Sequence, residues 1–134
     1  MRYSGPGGAP VISEAVHHVS FCIPELAPSL HFYQEILGFE PIERPSMGID
    51  GAWLQAGNTQ IHLIVAPDSA DVGSKPGKTN PLANHCAFAI DDYEKTRDHL
   101  KQHGLEIVET GVERGQMWVS DPAGNVLEFI SSRP

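Results

Sequence analysis

The sequence predicts an α+β fold of two tandem βαβββ modules. His18 and His85 each open an apolar strand pattern, with Phe three and Ile five positions later. A helical pattern that ends at a glycine follows each strand. His62 and Glu128 take matching places after Gly-Asn turns, and the two pairs of landmarks are 67 and 66 residues apart. A period kept to within one residue indicates a duplicated unit.

The first module is predicted to span about residues 15–66. Its opening strand is followed by a helix, because Leu26, Leu30, Tyr33 and Leu37 recur at helical spacing before Gly38. A tight Gly-Asn turn joins its last two strands. The predicted bounds are a strand over 16–23, a helix over 24–37, and strands over 39–46, 51–57 and 59–66.

The second module is predicted to span about residues 84–131, after a polar, turn-rich segment over 67–83 that is typical of a linker or flap. Residues 1–14 are rich in Gly and Pro and are expected to form a flexible tail, so that 15–134 is one domain. The predicted elements of this module are a strand over 84–90, a helix over 92–103, and strands over 105–110, 115–120 and 125–130.

Composition limits the classes of function. A chain of 134 residues with 40% apolar residues suits one domain with a real core. The net charge of -8 would repel nucleic acid and anionic membranes, so neither is expected as a partner. The first residues lack the pattern of a signal peptide, which predicts a cytoplasmic protein. Cys22 and Cys86 lie in apolar strand patterns and are expected to be buried free thiols.

Strand alternation places four potential metal ligands on equivalent inward faces. His18, His62, His85 and Glu128 each alternate with the large apolar residues of their strands, which should pack on the helices. Three neutral imidazoles and one carboxylate would hold a divalent ion and leave positions for water or substrate. This mixture of nitrogen and oxygen donors suits Fe, Ni, Co, Zn or Mn. A buried carboxylate beside three imidazoles would be costly without a cation.

The sequence also resembles the vicinal oxygen chelate superfamily, which includes glyoxalases, bleomycin-resistance proteins and extradiol dioxygenases. The resemblance is carried by "HHVSFCIPELAPSLHFYQEILGFEPI", "NTQIHLIV", "NHCAFAIDDYEKTRDHL" and "DPAGNVLEFI". It implies paired modules forming a curved mixed sheet around a metal held by His18, His62, His85 and Glu128, with the helices on the outer face. It also implies a homodimer whose sites take ligands from both subunits, and a small-molecule substrate that chelates the metal through neighbouring oxygens.

Within that family, the first choice is isomerase or lyase chemistry of the glyoxalase I kind, with Glu128 as the catalytic base. Ser20, Trp53 and Trp118 are candidates to line the substrate pocket. Glyoxalase I enzymes usually have a carboxylate where this chain has His62, and bacterial forms tend to have an Arg where it has Cys22.

Two other activities within the family are also compatible with parts of the sequence. An Fe(II) extradiol-type dioxygenase could use His18, His85 and Glu128, but such enzymes have Tyr where this chain has Trp118. An antibiotic-resistance protein could be a fosfomycin transferase, which also has that Tyr, or a bleomycin-sequestering protein, which generally lacks the ligand set.

Overall fold

The structure is a computed structural model that describes residues 6–131. Residues 1–5 of the expected tail and residues 132–134 of the expected domain lie outside the described residues. Residues 6–18 are exposed except at Val11 and contain no helix, and strand structure there is limited to a single bridge at Pro10 and the start of the first strand. The tail's flexibility remains a prediction.

The first module contains one helical segment and four strands. Its sheet has the order β1-β4-β3-β2, in which β1 and β4 are parallel and the other neighbours are antiparallel. The elements are β1 (His18–Ile23), α1 (Leu26–Leu30) continued by a π-helical stretch (His31–Ile36), β2 (Glu40–Ile42), β3 (Gly51–Ala56) and β4 (Thr59–Val65).

The second module repeats this topology. Its sheet has the order β5-β8-β7-β6, again with one parallel pair, β5 with β8. The elements are β5 (His85–Ile90), α2 (Tyr93–Gln102), β6 (Val108–Gly111), β7 (Gln116–Ser120) and β8 (Val126–Ser131). The tandem βαβββ fold predicted from the sequence is therefore confirmed, as two four-stranded mixed sheets.

Local chemistry explains where the elements depart from the predicted bounds. β2 is only three residues long rather than eight, because it is an edge strand that contains Pro41 and is followed by Pro45, and proline cannot donate to a ladder. The first helix widens, since Leu37 N donates to Phe32 O, five residues back, at 3.0 Å. This wider turn contains the buried residues Phe32, Tyr33 and Ile36.

Side chains of both modules form one hydrophobic core. Phe39 contacts Phe88 across the module boundary, with ring centroids 5.4 Å apart. The core is a single cluster that includes Phe21, Ile23, Phe32, Tyr33, Ile36, Leu54, Ile61, Leu63, Tyr93, Leu100, Met117, Val119, Leu127 and Phe129. The strands other than the edge strands β2 and β6 therefore turn one face toward this core and leave the other face for a site.

Polar contacts also join the modules. Tyr33 is fully buried, and its hydroxyl donates to Asp121 Oδ2, in the turn between β7 and β8, at 2.6 Å. Burial and then the Asp121 carboxylate raise the pKa of Tyr33 well above its ordinary value. His99 Nε2 in α2 donates to the Ile36 carbonyl of module 1 at 2.7 Å. These hydrogen bonds hold the two modules together next to the shared core.

Both cysteines are free, but they are half-buried rather than buried as expected. The reason is that β1 and β5 are each hydrogen-bonded to only one neighbouring strand, so Cys22 and Cys86 border a cleft. Burial still raises the pKa of the Cys86 thiol. Within residues 6–131, none of the helices has the length and apolar character needed to cross a membrane.

Candidate functional site

In module 1, His18, His62 and Trp53 form a stack of rings. Parallel pairing of β1 with β4 sets Ser20 opposite His62, so that His18 lies two residues before that point on the same face. The His18 and His62 rings are stacked with centroids 3.9 Å apart. Trp53, opposite His62 on β3, stacks on the other side of the His62 ring at 4.2 Å. His18, His62 and Trp53 thus lie on one face of the sheet, as strand alternation predicts for side chains of this parity.

The surroundings of His62 favour its neutral form. His62 is buried, and its Nε2 donates to Gln60 Oε1 at 2.8 Å. Burial lowers the pKa of His62 below its ordinary value, and the nearby His18, His17 and Arg44 lower it further. A neutral imidazole is the form that binds a metal ion. His17, the neighbour of His18 in sequence, shares a hydrogen bond of 2.9 Å with it through the two Nδ1 atoms.

In module 2, His85 and Glu128 form a direct pair. His85 Nε2 lies 2.8 Å from Glu128 Oε1. The other ring nitrogen, Nδ1, donates to the Ala83 carbonyl at 2.7 Å, because a carbonyl can only accept. This bond fixes the ring so that Nε2 faces the carboxylate. In a histidine that binds a metal, the ring nitrogen that does not contact the metal usually donates a hydrogen bond of this kind.

Glu128 is buried and receives two further hydrogen bonds. The Trp118 indole Nε1 donates to Oε1 at 3.1 Å, and the Gln116 amide donates to Oε2 at 3.2 Å. Trp118 lies opposite Glu128 on β7, as Trp53 lies opposite His62 on β3. The two tryptophans are therefore equivalent in the repeat. A fixed, buried carboxylate of this kind can accept a proton or bind a cation.

The structure brings the four predicted ligands together as two pairs. His18 lies with His62, and His85 lies with Glu128. Among the residues that the structure describes, no group of three or more His, Cys, Asp or Glu side chains is placed to hold a metal ion. The described part of the chain therefore presents two separate pairs of potential ligands.

A cleft of about 460 Å³ lies beside His85. Ser20 and Cys22 of β1 and the start of β5 line it, and residues 72–76 of the predicted linker form another wall. Ser20 is thus placed where a substrate could contact it. Trp53 and Trp118 contact the ligand pairs instead, and the cleft does not include them.

The sequence alone did not identify Gln60 and Gln116 as partners of the candidate ligands. Gln60 has the strand parity of its partner His62, two residues later. Gln116 has the parity of Trp118, which lies opposite Glu128, the partner of Gln116. That parity was the available signal. It was too weak by itself, because a glutamine on a strand face is usually solvated.

Comparisons with known proteins agree with this architecture. Residues 15–129 match the model of the Glyoxalase/Bleomycin resistance protein/Dioxygenase superfamily. The chain belongs to this family. It is 34% identical to Glyoxylase I 4 of Arabidopsis thaliana over 130 residues, which cover 92% of this chain and 74% of that protein.

Solved structures extend the comparison. A glyoxalase family protein from Bacillus anthracis has a TM-score of 0.75 and 26% identity, with 92% of this chain and 98% of that chain covered. The trypanothione-dependent glyoxalase I of Leishmania major has a TM-score of 0.70 and 18% identity, covering 89% and 87%, which shows a shared fold. The chain is therefore a glyoxalase-like member of its family, and this membership indicates an enzyme.

Proposed function

We propose that this protein is a metal-dependent isomerase or lyase of the glyoxalase I type, acting on a small substrate with two neighbouring oxygens. The observation that carries the proposal is the pair formed by His85 and Glu128. Its imidazole is fixed by a backbone carbonyl and its carboxylate is held by two donors. Such support is expected around metal ligands and bases, whose orientation must be set before substrate arrives.

The residues fit a divalent ion by the chemistry of their donors. His18, His62, His85 and Glu128 would hold Fe, Ni, Co, Zn or Mn with a net charge near +1. His85 Nε2 and Glu128 Oε1 already face each other at 2.8 Å. When bound, the ion would stabilise negative charge that develops on the chelated substrate oxygens.

Glu128 is proposed to be the base. Its carboxylate would take a proton from a carbon next to a carbonyl and return it at the neighbouring carbon, which is how an isomerase moves a double bond. The hydrogen bonds from Trp118 and Gln116 would keep the carboxylate aimed during both transfers. Ser20 would contact the substrate from the cleft wall.

A second copy of the chain is proposed to complete each site, because one chain keeps its two ligand pairs apart. Exposed apolar side chains lie next to both pairs. Val16, two residues before His18, is 62% exposed, and Leu82, three residues before His85, is 93% exposed. Contact with a second copy would remove these side chains from water and bring His18 and His62 of one subunit to the other pair.

Mixing two inactive variants tests both parts of the proposal. One variant is His18→Ala with His62→Ala, and the other is His85→Ala with Glu128→Ala. Each variant alone should contain negligible metal by elemental analysis and should not turn over methylglyoxal in the presence of thiols. After joint refolding, half of the dimers would carry one intact site, so about one quarter of the activity should return.

Three results would contradict the proposal. Negligible metal in the unaltered protein would exclude metal dependence. An absence of recovery on mixing would exclude shared sites. Oxygen consumption with a catechol would assign the protein to the dioxygenases instead.

A further inference from the structure

The cleft beside His85 contains an uncompensated positive charge. Lys75 is half-buried there, and its Nζ donates to the Cys22 carbonyl at the end of β1. Asn125 Nδ2 donates to the same carbonyl at 3.3 Å. Within the described chain, no Asp or Glu forms a salt bridge with Lys75. Among the described residues, the ammonium group therefore has a neutral carbonyl as an acceptor and no carboxylate.

This charge is unusual in its surroundings. The protein has seventeen acidic and nine basic residues, yet the cleft has no acidic side chain in its lining. Apart from Lys75 and His85, the polar side chains of the lining are neutral: Ser20, Ser74, Asn84 and Asn125, with the thiols Cys22 and Cys86. Partial burial of an ammonium group beside neutral groups is unfavourable unless an anion joins it. The lining of the cleft thus carries the ammonium group of Lys75 and no acidic side chain.

We infer that Lys75 binds an anionic group of the substrate, such as a carboxylate, in this cleft. The inference rests on the proposed function in one respect, namely that the other end of the same molecule chelates the metal beside His85. It specifies the substrate class as a small oxygenated molecule with a negative charge remote from its chelating oxygens. A charge-assisted hydrogen bond from Lys75 would orient that molecule in the cleft.

The position of Lys75 suits this role. The side-chain stem of Lys75 lies against Gly124, where an added Cβ would be 3.6 Å and 3.7 Å from its Cβ and Cδ atoms. The stem is thus supported by the turn between β7 and β8, while the ammonium group reaches β1. A purely structural role would use the same contacts, with Lys75 serving only to attach the linker to the Cys22 carbonyl. A test must separate these two roles.

Binding of two isosteric probes, one charged and one neutral, separates an anion-binding role of Lys75 from a purely structural one. The ligands are 3-(methylthio)propanoate and its uncharged amide, titrated by calorimetry into the full-length protein as purified. The variant Lys75→Met keeps the stem and loses the charge, and Lys75→Arg keeps the charge. Lys78→Met is the matched control, because Lys78 is an exposed lysine of the same linker outside this cleft.

The unaltered protein should bind the carboxylate about tenfold more tightly than the amide. This ratio should persist in Lys75→Arg and Lys78→Met and fall to about one in Lys75→Met. An unchanged ratio in Lys75→Met together with a lower Tm would show a purely structural role and overturn the inference. Equal binding of the two probes by the unaltered protein, or no measurable binding of either, would overturn it too.

A turnover experiment distinguishes this inference from the proposed function. Methylglyoxal is supplied with 3-mercaptopropanoate, 2-mercaptoethanol or cysteamine, whose hemithioacetals are anionic, neutral and cationic. Turnover that is fastest for the anionic and slowest for the cationic hemithioacetal, with this order lost in Lys75→Met, would support both the anion site and the proposed reaction. A carboxylate preference in the titration without any turnover would reject the reaction and keep the anion site. Turnover with no effect of thiol charge would reject the anion site and keep the reaction.

Discussion

The two modules hold their paired polar side chains in one register but give them different surroundings. In module 1, His62 lies opposite Trp53 and contacts it by stacking. In module 2, Glu128 lies opposite Trp118, which instead donates a hydrogen bond to the carboxylate. The backbone of the repeat thus fixes where the side chains lie, and the residue type at one position changes what the neighbouring tryptophan does.

This difference separates two chemical roles. Module 1 offers the imidazole of His62, whose neutral form is favoured because burial lowers its pKa. Module 2 offers the negative charge, with Gln116 and Trp118 stabilising the carboxylate of Glu128. Under the proposed function, module 1 would supply ligands, and module 2 would supply both a ligand and the base.

The largest expected effect is that of Glu128→Gln, which removes the charge that distinguishes module 2. Activity should fall by at least about 1000-fold, because the base and one metal ligand are lost together. Turnover and metal content by elemental analysis measure the effect. Glu106→Gln, on an exposed residue before β6, is the control and should change neither. Full metal content and activity in Glu128→Gln would refute the role of the carboxylate.

A smaller effect is expected from His18→Ala, compared with its neighbour His17→Ala. The loss of one of four ligands should weaken metal binding by about 100-fold, whereas His17 only shares a hydrogen bond with His18, and its loss should cost threefold or less. Competition with a metal chelator gives both affinities. A larger effect at His17 than at His18 would mean that strand parity has selected the wrong histidine.

Replacing the two tryptophans tests the comparison directly. Trp118→Phe removes a donor to Glu128 and should lower kcat by about tenfold. Trp53→Phe keeps an aromatic ring against His62 and should lower kcat by threefold or less. Steady-state kinetics of both variants, with circular dichroism as a control for folding, provide the measurement. Equal effects would mean that Trp118 acts by packing alone.

The smallest effect is confined to alkaline pH and concerns Tyr93 of module 2. Burial and a hydrogen bond to Glu109 raise the pKa of Tyr93 from 10 to about 12. Because the unfolded phenol ionises first, this stabilisation is complete below pH 10 and is lost as the pH rises toward 12. The slope is at most about 1.4 kcal/mol per pH unit.

Urea unfolding at pH 9, 10 and 11 measures this slope. Tyr93→Phe should have a shallower decline in the free energy of unfolding than the unaltered protein. Tyr33 also has a raised pKa, so a decline should persist in this variant and be reduced again in the double variant with Tyr33→Phe. Superimposable curves for all three proteins would contradict the assignment.

Strand alternation predicted most of the fold and the inward faces of both modules, because period-two patterns depend only on neighbouring residues. It could not predict that His18 and His85 lie in separate pairs, since the face of a strand does not specify which sheet it meets. The π-helical turn at His31–Ile36 also lacked a local signal. Lys75 was missed because a lysine in a polar linker is ordinarily solvated, and only tertiary contacts place it in a cleft.

The common core has a consequence for how the chain behaves as a physical unit. Tyr33 and Asp121, 88 positions apart, are bonded inside one apolar cluster that draws on both repeats. Because the buried residues of both repeats form one cluster, neither repeat should fold independently of the other. The chain should therefore unfold in a single cooperative transition. Cutting the exposed backbone near Gly73 with a protease should leave two fragments that stay associated and co-elute until denaturant is added.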